Sequence, residues 1–197
     1  MNKEFSDLLT PNKWLSDSVC FGLFTTKINF KFYSFQIINS YLTVADLKDN
    51  ILLNYYVINQ IINNVDCTAL QNFDIHDFKF IVGPHFIDCR WYAVIVDLSK
   101  HQFLMIDPKG ITDNLLQNSF KNWVEFYMRR IDKQIDDWQA IKIKHPIQMD
   151  SYNCAIFVIN FIYFYVNTGQ IEFDSSNMTA WRYKVVDTIK SNCIKLN

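Results

Sequence analysis

Along the chain, stretches whose apolar residues recur every three or four positions alternate with stretches that are apolar almost without a break. Ser16 offers a hydroxyl to the first unpaired N–H groups of a helix, and Asp17 places a carboxylate in the positive first turn, so a short helix is expected to begin there. Phe30, Phe32 and Phe35 start in strand-like alternation and leave their segment open. From Asp46 to Asn64, Leu47, Ile51, Tyr55, Ile58 and Ile62 fall at helical spacing with neither Gly nor Pro after Lys48, which predicts one helix.

The period then changes. Phe78–Val82 is a short apolar run that Gly83–Pro84 would close as a turn. Arg90–Leu98 and Gln102–Ile106 are β-forming runs separated only by Ser99, Lys100 and His101, which predicts a hairpin. Their nearly continuous apolar character suits strands covered on both faces. Asp113 caps the amphipathic stretch Asn114–Lys133, with Leu116, Phe120, Trp123, Phe126 or Tyr127, and Ile131 as its apolar stripe. Trp138–Lys144 alternates as one more strand. Cys154–Val166, broken only by Asn160, reads as a buried helix that stops at Asn167–Thr168–Gly169, and a last helix is expected over Met178–Asn192. Helices flanking a central sheet of at least four strands make an α+β domain.

Composition narrows the classes. With 197 residues, half of them apolar, the chain can bury one sizeable core, so a single domain over 1–197 is expected. Nineteen basic and twenty acidic residues leave a charge of −1, no footprint for nucleic acid or an anionic membrane. Four glycines and four prolines argue against a linker-rich chain. The five cysteines, Cys20, Cys67, Cys89, Cys154 and Cys193, are odd in number and form no CxxC pair, so neither a zinc site nor a disulfide framework is signalled; no metal and no cofactor are expected. The N-terminal segment has no apolar signal core, and the longest apolar run is too short for a membrane span. An intracellular, reduced setting follows, cytoplasmic or nuclear.

The chemistry gathers at Gln148–Cys154. A thiol opening a helix meets the positive end of the macrodipole and unpaired N–H groups, which favour the thiolate. An amide six positions upstream can help to bind an oxyanion. On this stretch alone Cys154 is more readily read as a small core hydrophobe, which is what most free cysteines are. A cysteine nucleophile needs a base and a group to orient that base. Asp107, ending the Gln102–Ile106 run, supplies a carboxylate, although an aspartate before Pro108 is also ordinary turn chemistry.

In that order the pieces resemble the ubiquitin-like-protein-specific proteases, papain-like cysteine proteases that process SUMO and related modifiers. Arg90–Trp91 and the run after it align with the family's His-Trp strand, Phe103–Pro108 with its aspartate strand, and Gln148 to Cys154 with its Gln-x5-Cys motif. Trp14–Leu15–Ser16–Asp17 is similar to the family's N-terminal Trp-Leu-Asn-Asp element. Seventeen residues separate Arg90 from Asp107 and forty-seven separate Asp107 from Cys154, and the resemblance runs from about Trp14 to Phe164. It implies a papain-like α+β fold of the SUMO-protease type, a central mixed sheet flanked by helices. It also implies Cys154 as nucleophile, Gln148 as oxyanion donor, Asp107 as orienting acid, Trp91 as the lid of a tunnel for a Gly-Gly tail, and Trp14 and Asp17 as substrate-binding residues. Trp91 is otherwise an ordinary sheet tryptophan.

The departures decide the expected activity. The family's catalytic histidine falls on Arg90, whose guanidinium stays protonated and cannot shuttle a proton, though it can stabilise a thiolate by charge and pair with Asp107. Asn153 replaces the usual Asp and Ala155 the usual Gly. Of the other histidines, His85 would lie on the face opposite Arg90's if the strand is continuous, and could reach the site only through a loop or bulge. His101 belongs to the hairpin turn, His145 precedes Pro146 in a structural setting, and His76 sits in a polar loop. The resemblance thus implies a cysteine protease or isopeptidase that cleaves after the Gly-Gly tail of a SUMO- or ubiquitin-class modifier, its partner. The alternative is a pseudoprotease that grips a modifier or other partner without turning it over. Acyl transfer through a thioester is a third reading.

Overall fold

In the computed structural model, residues 50–53, 55–65, 75, 78–110, 113–131, 137–184 and 187 are described. Trp14, Asp17, the helix expected at Ser16, the phenylalanine segment and His76 lie outside them.

The core is a five-stranded sheet in the order β1 (Asn50–Leu52), β2 (Phe80–Ile87), β3 (Arg90–Asp97), β4 (Gln102–Ile106) and β5 (Gln139–Ala140). The outer pairs, β1 with β2 and β4 with β5, are parallel, and the inner pairs are antiparallel, so the sheet is mixed. Alternation along β3 and β4 divides the apolar residues between two layers. Ala93, Ile95, Leu104 and Ile106 pack with helix α3 (Cys154–Thr168). Val94, Val96, Phe103 and Met105 pack with helices α1 (Tyr55–Ile62) and α2 (Asp113–Ile131). The expected two-sided cover of the strands is present, and so is the β3–β4 hairpin.

α3 is apolar nearly all round because it is buried nearly all round: ten of its residues are buried, from Cys154 to Tyr165. It stops where Gly169 takes a left-handed conformation (φ 72°) and donates its N–H to the Tyr165 carbonyl. α2 carries Asp113 in its first turn and Arg129 and Arg130 in its last, each complementing the macrodipole.

Three expectations need correction. The helix read over 46–64 contains β1, because Ile51 and Leu52 pair in parallel with Ile81 and Val82, and of its described residues only Tyr55–Ile62 is helical. Gly83–Pro84 makes no turn: β2 runs through it to Ile87. A side chain at Gly83 would strike the Leu53 carbonyl and Ile58, so glycine there admits α1 against the sheet. Pro84 falls where the pairing with β1 stops: the Leu53 N–H, donating to the Val82 carbonyl at 2.8 Å, is the last rung among the described residues, so the missing proline N–H interrupts no further described pairing. The strand read over 138–144 is regular only at Gln139–Ala140. Its ladder ends once the Ile141 N–H has bonded to the Phe103 carbonyl.

The last expected helix is present as helical residues from 178 to 184. Among the described residues, no helix is long and apolar enough to cross a membrane.

Candidate active site

The antiparallel register of β3 and β4 (Ala93 opposite Ile106) brings the start of one strand beside the end of the other. Arg90, opening β3, therefore faces Asp107, just past β4, with Nη1 3.8 Å from Oδ2. The arginine side chain is 52% exposed and the carboxylate only 5%. Asp107 is held from its other side by the Lys109 N–H, 2.8 Å from Oδ1. Tyr92 lies in the field of both: burial and the Asp107 charge raise its pKa, while the charge of Arg90 and a hydrogen bond with it act the other way.

Cys154 stands at the first position of α3, 8% exposed and packed in the same apolar cluster as Trp91. Its sulfur is approached by the backbone N–H groups of Trp91, Ala155 and Cys154 itself, which ties the helix start to the start of β3. Those donors lower the thiol pKa, but burial outweighs them and the Asp150 charge adds to burial, so the thiol is pushed up. The thiolate expected from a helix N-terminus is not the resting state. Desolvation wins over the dipole.

Gln148 joins the two halves of the site. Its backbone N–H donates to the Pro108 carbonyl at 2.7 Å, next to Asp107. Its side chain, 4% exposed, donates from Nε2 to Asp150 Oδ1 at 2.9 Å, and its Oε1 is buried with no hydrogen-bond partner. Asp150 also accepts the backbone N–H groups of Tyr152 and Asn153 at 2.9 and 2.8 Å, and Asn153 Nδ2 at 2.7 Å. Burial opposes its charge, yet these bonds together hold its pKa below the ordinary carboxylate value.

A buried thiol at a helix start, an aspartate ending the strand beside it and a glutamine on the loop before it are thus gathered at one end of the sheet. The sequence profile of the Ulp1 protease family, C-terminal catalytic domain, matches residues 38–195.

The chain belongs to that family.

A protein of Arabidopsis thaliana bearing the provisional name ubiquitin-like-specific protease 1B is 23% identical over 193 residues, which cover 92% of this chain and 55% of that one. The chain thus spans about half the length of this relative. Solved Ulp1 structures share the fold at low identity. SUMO protease Ulp1 with its catalytic cysteine oxidised to a sulfonic acid superposes with a TM-score of 0.75 at 16% identity, covering 97% of this chain and 84% of that one. The Ulp1 protease domain in complex with Smt3, the yeast orthologue of SUMO, gives the same TM-score and identity over 97% and 82%. The Ulp1-like SUMO protease catalytic domain of Chaetomium thermophilum gives 0.68 at 14% identity over 93% and 75%. The fold of this chain is that of the SUMO proteases, an α+β domain with a mixed sheet.

In this Ulp1-family domain the described histidines have other occupations. His85 is 2% exposed, its Nδ1 is 2.5 Å from Asn59 Oδ1, and burial lowers its pKa to about 4. The continuous strand that would put it on the face opposite Arg90's is not present; a loop intervenes. Asp88 and Cys89 make a turn, Ile87 pairs with Arg90 and His85 with Tyr92, so His85 and Arg90 share a face. His101 Nδ1 lies 2.7 Å from Asp137 Oδ1, and His145 packs edge-on against Phe161 with Nδ1 2.9 Å from the Pro146 carbonyl. Trp91 is 5% exposed, set between Phe86 (ring centroids 4.7 Å apart) and Tyr55 (6.2 Å). Among the described residues no three His, Cys, Asp or Glu side chains are grouped to hold a metal.

Two residues of the site were missed by sequence reasoning. Asp150, followed by Ser151–Tyr152–Asn153, carries an Asx-turn signature that could have flagged it. Arg182 carries none: it comes from the final helical segment, 4% exposed, and donates from Nε to Asn153 Oδ1 at 2.6 Å and from its guanidinium to the Tyr152 carbonyl at 3.2 Å.

Proposed function

We propose that this domain recognises the Gly-Gly tail of a SUMO- or ubiquitin-class modifier at Cys154 and binds it far better than it hydrolyses it. The pairing of Arg90 with Asp107 carries the reading. In the family pattern Arg90 takes the histidine position, and a guanidinium neither accepts the proton of Cys154 nor returns one to a leaving amine. The raised thiol pKa supports the same view, since a protonated sulfur with no base beside it among the described residues is a weak nucleophile. Tyr92 does not fill the gap, because its raised pKa keeps the phenol protonated at neutral pH. What remains suits a binding module: backbone donors at the sulfur, a half-exposed cation at the site's edge and an aromatic cluster around Trp91. Such modifiers act inside cells, which supports a cytoplasmic or nuclear setting for the domain.

The test compares wild type with Arg90→His, using SUMO- and ubiquitin-type modifiers carrying a C-terminal fluorogenic amide or an electrophile. Wild type is expected to bind a modifier with negligible turnover, and Arg90→His to gain on the order of 10²–10⁴ in rate, the typical worth of general acid–base catalysis. Turnover by wild type equal to that of Arg90→His would overturn the impaired-protease reading, and no binding by either form would overturn the modifier.

A further inference from the structure

We propose that Asp150 is a positioning residue that restrains the nucleophile site, taking the amide donor of Gln148 away from the substrate carbonyl and setting a negative charge beside Cys154. An ionised carboxylate only accepts hydrogen bonds, so the end of Gln148 that faces Asp150 Oδ1 at 2.9 Å is the nitrogen. The amide atom left over is Oε1, buried and without a partner. An acceptor adds nothing to an oxyanion and opposes it electrostatically, whereas a donor at that place is what acyl transfer uses. Asp150 is fastened where it stands, since it also receives two backbone N–H groups and Asn153 Nδ2. Asn153 is in turn gripped by the buried Arg182. The geometry is therefore a set arrangement rather than one rotamer among several, and the Asp150 charge further disfavours the thiolate.

This inference rests on the reading that Cys154 and Gln148 meet a substrate carbonyl, so one readout is chosen that needs no modifier. Asp150→Ser removes the charge and keeps a hydroxyl for the backbone N–H groups. Alkylation of Cys154 by iodoacetamide, followed by peptide mass spectrometry across pH 6–10, is expected to shift to lower pH. At pH 7 it should run several-fold faster, because the charge that disfavours the thiolate is gone. In the Arg90→His background the same change is expected to raise kcat roughly tenfold with KM unchanged, a fraction of the 10²–10³ that one oxyanion donor supplies.

Asp150→Thr is the second variant. Its hydroxyl likewise serves the backbone N–H groups but carries no charge, and it too should raise kcat if Asp150→Ser does not fold. An alkylation profile and a kcat that both stay at the parent values, in a variant that melts like the parent, would overturn the proposal. A shifted profile with unchanged kcat would overturn the Gln148 half alone. If Arg90→His turns over no modifier, the functional reading fails, and the alkylation profile still decides what Asp150 does to the thiol.

Discussion

Two arginines stand at the candidate site's end of the sheet, one at the strand start beside Asp107 and one against the loop before α3, and they are held in opposite ways. Arg90 comes from the start of β3, is half exposed, and meets Asp107 at 3.8 Å. Arg182 comes from the final helical segment, is nearly sealed from solvent, and meets Asn153 Oδ1 at 2.6 Å. Its guanidinium also lies 5.5 Å over the Tyr152 ring. A loose, solvated ion pair contributes little to stability and leaves its cation free to meet something else. A buried guanidinium with short hydrogen bonds organises the backbone around it, and its loss strands the groups it served. The two cations thus divide the labour: one keeps the Tyr152–Asn153 corner in shape, and the other is available to whatever enters.

The contrast can be broken most directly at Arg182. Arg182→Ala is expected to cost about 4 kcal/mol of unfolding free energy, from two charge-assisted hydrogen bonds of ~1.5–3 kcal/mol each. Urea denaturation measures it, and a loss below about 1 kcal/mol would make the two arginines alike.

His85 extends the comparison to a group that is neutral when buried. Its folded pKa of about 4 lies below the 6.5 of an unfolded histidine, so the unfolded chain binds the extra proton between those values. Stability is full above pH 6.5 and falls as the pH drops toward 4, by about 3 kcal/mol in all at 1.36 kcal/mol per unit. Denaturation at pH 7, 5.5 and 4.5 reads this dependence, and His85→Gln should flatten it.

The smallest effect belongs to Arg90→Ala, expected within about 1 kcal/mol of wild type and less in high salt. Modifier affinity, measured on the same sample, is where its loss should register.

The elements that were legible in the sequence are those whose partners are close along the chain. β3 and β4 are joined by four residues, and Asp97 accepts the Ser99 N–H and hydroxyl and the Lys100 N–H, so the hairpin is written locally. α3 declares itself by an unbroken apolar run and the glycine after it. β1 was hidden because its partner lies thirty residues away and helical spacing continues through it; parallel pairing overrode the local period. Gly83–Pro84 looked like punctuation because close approach and turn making call for the same residue types. Around the candidate site, Arg90, Asp107 and Cys154 stand at or just past element ends and Gln148 on the loop before α3, positions that motif order along the chain can locate. The Asp150–Asn153–Arg182 network could not, because its third member is fixed by tertiary packing alone.

The two residues between β2 and β3 carry more weight than their size suggests. Asp88 and Cys89 both take positive φ (48° and 58°), the mirror-image two-residue turn whose twist suits a right-handed ribbon. Because side chains switch sides at every step of a strand, lengthening this loop by one would invert β3 unless a bulge absorbed the change. The guanidinium would then face α3 and the indole the opposite layer. A bend with no chemistry of its own therefore decides which side of the sheet meets the incoming chain, and it is a poor place for an insertion, tag or graft.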